Sequence, residues 1–160
     1  MTNQEYVKMM RDSLDKKVDL LKKLQGLNLE QKNILEDYDS APEDLDENMD
    51  KKSAIIERLD KMDEGFQGLF DKVKKDLNDN RDEYAEDIKS MQELIREITD
   101  ISNDLRTKEM QNKDLAKKRF SYVRSQIRET KHGQKAVASY YASMMNNTGY
   151  EGSQFWDQKK

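Results

Sequence analysis

The stretch "LDENMDKKSAIIERLDKMDEGFQGLFDKVKKDL", residues 45–77, decides the fold. Leu45, Met49, Lys52, Ile56, Leu59, Asp63, Phe66, Phe70, Val73 and Leu77 recur in alternating four- and three-residue steps. Only Lys52 and Asp63 break the apolar character of this row, and Ile55, Met62 and Leu69 flank it one heptad apart. A repeat of about 3.5 residues lines one side of a helix and gives coiled-coil-like packing. Just upstream, "DSAPED" supplies a start. Ser40 and Glu43 have capping-box spacing, Pro42 falls in the first turn, and Glu43, Asp44, Asp46 and Glu47 complement the positive end of the helix dipole. The spacing predicts a helix over residues 43–77.

Downstream, "LNDNRDEY", residues 77–84, reads as a turn, with Asn80 expected to cap the next helix and Glu83 to reach back. Tyr84, Ile88, Met91, Ile95, Ile98 and Leu105 carry the next stripe, supported by Leu94 and Ile101. "RTKEMQNKD", residues 106–114, is almost wholly polar. The stripe resumes at Leu115, Ala116, Phe120, Val123 and Ile127, and "KHG" at 131–133 marks the expected end of a helix over 81–129. Ile56, Leu59, Phe66 and Phe70 are expected to face Ile88, Ile95 and Ile98 across the hairpin.

Upstream, Val7, Met10, Leu14, Leu21 and Leu24 form a third stripe, with Lys17 at a position where an apolar residue is expected. Gly26 interrupts it, and Asn28 with Gln31 has the spacing of a capping box for a short helix through Ile34, Leu35 and Tyr38. The expected helices are therefore 3–25, 29–38, 43–77 and 81–129. Together they make an all-α, elongated antiparallel three-helix bundle, or long helical hairpin, over 1–133. Residues 134–160 form a separate C-terminal tail.

The composition agrees with narrow-striped helices. Hydrophobic residues are 34%, charged residues 39%, and there are one Pro and six Gly. Disorder has the same bulk signature, but regular apolar spacing argues against it for most of the chain. Cysteine is absent, so disulfides and cysteine metal sites are excluded. The sequence has no run of membrane-span length and no signal-peptide core, so a cytoplasmic protein without membrane insertion is expected.

Enzyme classes find no support. His132 is the single histidine, and no general acid–base or nucleophile set is built around it. "DLNDNRD", 76–82, alternates oxygen donors like the start of a calcium loop, but Arg81 stands where the turn glycine belongs. No phosphate-cradling glycine loop occurs. No catalytic residue, metal ligand or cofactor is expected.

Charge is unevenly placed. Residues 30–104 hold 24 acids against 11 bases, whereas 105–135 hold ten bases against three acids. The basic stretch could meet the acidic arm or serve a partner. Its Phe120 and Tyr122 raise nucleic acid as a third reading, which the acidic balance of the chain disfavours.

Length points to the binding segment. At about 1.5 Å per residue the helix over 43–77 spans about 50 Å and that over 81–129 about 70 Å. Folded about a turn near residue 79, Leu45 falls opposite Lys113, and Phe120, Val123 and Ile127 overhang. The 29–38 helix, the tail, a second copy or a bound protein must cover them. The tail carries five of the twelve aromatics, including Tyr140, Tyr141, Phe155 and Trp156, with Met144 beside them. Methionine and aromatic side chains outside a heptad suit an adaptable binding surface.

"SLDKKVDLLKKLQGLNLEQKNIL", 13–35, together with "DKKSAIIERLDKMDEGF", 50–66, resembles flagellar export chaperones of the FlgN type, over roughly residues 5–110. The resemblance implies a small cytosolic all-helical protein that binds rather than catalyses. Its partners would be flagellar hook–filament junction proteins, held by a terminal helix in the C-terminal half of the chaperone, and the flagellar type III secretion apparatus. Phe120, Val123, Ile127, Tyr140, Tyr141, Met144, Phe155 and Trp156 are then the expected client-binding residues. A self-associating coiled-coil scaffold, such as a homodimer, is the alternative.

Overall fold

The computed structural model describes residues 1–127, with the backbone alone for Ile127. The fold is all-α. Three helices follow one another: α1 (Asn3–Glu36), α2 (Pro42–Asp79) and α3 (Ala85–Ile127), with no strand among the described residues. Packing divides the described residues into two compact units, one of residues 1–23 with 57–103, the other of residues 24–56 with 104–127.

α1 starts at a capping box that the sequence reading passed over. The Thr2 hydroxyl accepts from the Glu5 amide at 3.2 Å, and the Glu5 carboxylate accepts from the Thr2 amide at 2.8 Å. Its buried row is a strict three–four repeat: Val7, Met10, Leu14, Lys17, Leu21, Leu24, Asn28, Gln31 and Leu35. The expected break at Gly26 does not occur. A helical glycine costs about 1 kcal/mol relative to alanine, and continuing the row to Leu35, 1% exposed, offsets it. Asn28 and Gln31 are therefore interior residues of α1 and not a capping box.

Two other starts also differ from expectation. Ala41, not Ser40, precedes α2, and its carbonyl accepts from the Asp44 amide at 3.1 Å. Asn80 does not cap α3. Its amide donates back to Asp76 at 2.6 Å, and four turn residues separate it from the helix start at Ala85. The longer turn shifts the hairpin register by about one helical turn. Leu45 consequently packs with Ala116, not Lys113.

In the first unit the apolar core takes Met10, Leu14 and Leu21 from α1, Leu59 and Val73 from α2, and Met91 and Ile98 from α3. Arg11 pairs with Asp87 at 2.6 Å and Lys22 with Glu97 at 3.3 Å, which sets α1 and α3 parallel and in register. The expected facing row is only partly buried. Phe66 and Ile88 are half-buried, while Phe70 and Ile95 are 38% and 47% exposed. α1 occupies one side of the α2–α3 pair, so residues on its other side stay open to solvent.

In the second unit apolar residues are sparse. Leu35, Leu45 and Ala116 form a small cluster against which Ile34, Met49, Leu115, Phe120 and Val123 pack. Between this cluster and Leu24 lies a layer of buried polar side chains.

Candidate functional site

The expected binding residues divide between the described and undescribed parts of the chain. Phe120 and Val123 are half-buried on α3 against Leu35, Leu45 and Ala116. The last turns of α1, through Ile34 and Leu35, thus cover part of the stripe that an α2–α3 hairpin alone would leave open. Ile127 is the last residue of α3. Tyr140, Tyr141, Met144, Phe155 and Trp156, and the expected boundary at 133/134, lie outside the described residues.

Beside Phe120 the surface is aromatic and cationic. Tyr38 and Tyr122 stack at 4.5 Å between ring centroids with a tilt of 43°, and both are 42% exposed. The Arg124 guanidinium lies 5.6 Å from the Phe120 ring centroid. Lys113, Lys117 and Lys118 are exposed and have no ion-pair partner among the described residues. The ion pair that joins the arms here has the opposite polarity to the bulk charge: Lys52 of the acidic arm reaches Glu109 of the basic one at 2.5 Å.

Arg119 holds the end of α1. One guanidinium nitrogen donates to the Ile34 carbonyl, to the Asp37 carbonyl at 2.9 Å and to the Ser40 hydroxyl at 2.6 Å; the other donates to the Ser40 carbonyl at 2.9 Å. The last turn of α1 carries no basic residue of its own. A cation from α3 therefore answers the negative end of that helix. Ser40, expected as a cap of α2, belongs to this knot instead, and its hydroxyl donates to the Ile34 carbonyl at 3.0 Å.

Below the knot sits the polar layer. Lys52 and Asn112 both donate to the Gln31 amide oxygen, at 3.1 and 3.0 Å. Asn112 also donates to the Asn28 carbonyl and Asn48 to the Leu27 carbonyl, each at 2.9 Å. Both polar atoms of the Asn28 side chain lack a hydrogen-bond partner among the described residues, as do one oxygen of Asn48 and one of Glu109.

Sequence reasoning missed Arg119, Asn112 and the Tyr38–Tyr122 pair. The signal for the first two was present: Leu105, Glu109, Asn112, Ala116, Arg119 and Val123 keep the four–three repeat through the polar stretch. Elsewhere, Asp76 of the calcium-like stretch accepts from Tyr84, Asn80 and Asn3. Among the described residues no group of three or more His, Cys, Asp or Glu is placed to hold a metal ion, and no helix is long and apolar enough to cross a membrane.

The family model described as FlgN protein matches residues 1–147. The chain belongs to the FlgN family, a family of flagellar export chaperones. No curated protein matches it, and no solved structure does. The FlgN match includes α1, α2 and α3 entire and reaches past Tyr140, Tyr141 and Met144, stopping short of Phe155 and Trp156.

Proposed function

We propose that this FlgN-family protein is a cytosolic chaperone that holds flagellar hook–filament junction proteins by a terminal helix and presents them to the flagellar type III secretion apparatus. Family membership over residues 1–147 is the observation that carries this reading. The client-binding element is the end of α3, with Phe120, Val123 and Ile127, continued by Tyr140, Tyr141, Met144, Phe155 and Trp156. The half-buried state of Phe120 and Val123 beside the exposed Tyr38–Tyr122 pair supports it. Such partly covered aromatic and aliphatic surface suits an amphipathic helix laid into a groove. Binding and release need neither cofactor nor catalysis.

Capture of a junction-protein C-terminal fragment tests the reading. The chain truncated after Gly133 is expected to keep its helices and lose capture. Trp156, the sole tryptophan, reports on the full chain: its emission should move to the blue with the fragment, and Phe120→Asp should prevent the shift. Capture of unchanged affinity by the truncated chain would remove the tail from the binding element. Self-association is the second reading, favoured by the exposure of Phe70 and Ile95. A stable dimer in sedimentation that Phe70→Asp dissociates would establish it.

A further inference from the structure

The two units are built from different interiors. Among the described residues the first unit buries thirteen apolar side chains and two polar ones, Lys17 and Ser102. The second buries five apolar side chains, Leu24, Leu35, Leu45, Leu105 and Ala116, against six polar ones. Those six are Asn28, Gln31, Asn48, Lys52, Asn112 and Arg119, none more than 5% exposed. Burial of apolar surface is the main favourable term in helix packing, and polar burial adds little even where every bond is made.

Among the described residues, moreover, Asn28 has no protein partner for either side-chain polar atom, and Asn48, Glu109 and Arg119 each have one such atom. Polar atoms of this kind are readily solvated when the helices part, so opening costs less here than in an apolar interior. Several contacts that fasten α3 in this unit are also of a kind water can replace. Asn112 and Arg119 donate to carbonyls of α1 and of the segment after it. Glu109 pairs with a lysine of α2.

We propose that the second unit opens as a whole while the first stays folded, and that the buried polar layer sets how readily it opens. Opening uncovers Leu35, Leu45 and Ala116, the cluster on which Phe120 and Val123 rest. An amphipathic helix with an unbroken apolar stripe can cover that cluster without satisfying the polar layer next to it. In its purpose the inference rests on the chaperone reading. In its mechanics it does not.

Hydrogen exchange on the full chain, without any client, tests it. Amides of residues 46–55 and 106–118 are expected to exchange at least about tenfold faster than those of 60–75 and 89–101. All four segments lie inside helices, so end fraying does not account for the difference. Asn48→Leu combined with Asn112→Leu, and separately Lys52→Met with Glu109→Leu, each replace two polar side chains of the layer by apolar ones. Each pair should slow exchange in the second unit by about tenfold and leave the first unchanged. Asn48→Leu alone should act in the same direction. Equal exchange in the two units of the wild type overturns the proposal. So does wild-type asymmetry that none of the folded variants reduces. Client capture is absent from the experiment, so loss of the chaperone reading would leave its outcome standing.

Discussion

Lys17 of α1 and Asp63 of α2 meet at 2.6 Å, each standing where its own heptad row has room for an apolar side chain. These two polar positions, one in each row, are a single interaction. The pair is unequally buried, with side chains 8% and 31% exposed. Removing Asp63 takes the bonded carboxylate from a buried ammonium, whereas removing Lys17 leaves a carboxylate that water reaches. Asp63→Leu is expected to cost about 3 kcal/mol in urea unfolding and Lys17→Met about 1 kcal/mol, with the double variant near wild type. Equal single costs that simply add would show that the two residues act independently.

The uninterrupted course of α1 through Gly26 gives a second expectation. A Cβ built there meets nothing within 4 Å, and the same holds at Gly65 and Gly68 of α2. Alanine should fit each position without strain. Each substitution is expected to stabilise by about 0.5–1 kcal/mol, through helix propensity and a less flexible unfolded chain. A loss of stability in Gly26→Ala would mean that the helix breaks there after all.

Leu59 and Phe70 separate the true core from the stripe. Both belong to the same four–three row of α2, yet Leu59 is 0% exposed and Phe70 38%. Leu59→Ala is expected to cost about 3 kcal/mol and Phe70→Ala about 1 kcal/mol, since less contact is lost at the surface. Similar costs in urea unfolding would place Phe70 in a covered environment.

The same contrast explains how much of the fold was legible. Apolar rows gave α2, α3 and the first part of α1, because only a continuous helix keeps such a repeat in phase. What they do not give is which of two adjacent rows faces inward, so Phe70 and Ile95 read as core residues. Where the interior is polar, apolar counting loses the row altogether. Glu109, Asn112 and Arg119 keep the phase of α3, but their side chains disguise it as a surface. Gly26, Asn28 and Gln31 misled for the same reason: polar residues beside a glycine resemble a helix boundary until their partners on α2 and α3 are known. Of the proposed binding residues, the overhang in the sequence singles out Phe120, Val123 and Ile127. It does not show that the end of α1 partly covers Phe120 and Val123.

Acid and alkali should weaken the turn between α2 and α3 at opposite ends of the pH scale. Tyr84, followed by Asn3 and Asn80, donates to Asp76 and holds its carboxyl below the ordinary 3.8. The hydrogen bond to Asp76 in turn pushes the Tyr84 phenol from 10.0 up to about 12. A depressed carboxyl stabilises fully above its unfolded value, and that contribution fades as pH falls below 3.8 through the folded value. The raised phenol contributes fully below 10.0, and its share fades as pH rises towards 12. Tyr84→Phe should remove the alkaline loss and soften the acid one in thermal melts. Asp60 has the reverse sense: burial, then Asp63 and Glu64, raise its carboxyl, so ionisation at neutral pH opposes folding. Asp60→Asn should therefore raise the neutral-pH melting temperature, and a fall would reverse the assignment.

Arg119 offers the sharpest test of how the end of α1 is held. A single guanidinium satisfies the Ile34, Asp37 and Ser40 carbonyls and the Ser40 hydroxyl, at a helix end that carries no basic residue itself. A planar fork of donors can bridge that set, whereas a lysine ammonium at the end of a different stem cannot reproduce its geometry. Arg119→Met keeps much of the side-chain bulk while leaving the carbonyls without their donor. It is expected to cost about 2–3 kcal/mol, the scale of hydrogen bonds to a charged group. Arg119→Lys should recover less than half of that. Amides at 38–40, between α1 and α2, should exchange faster in both variants, while those of 60–75 keep their wild-type rates. If lysine restores full stability, positive charge near the helix end is sufficient and the fork is incidental. If methionine costs less than about 0.5 kcal/mol, the carbonyls are served by solvent and Arg119 does not hold the helix end.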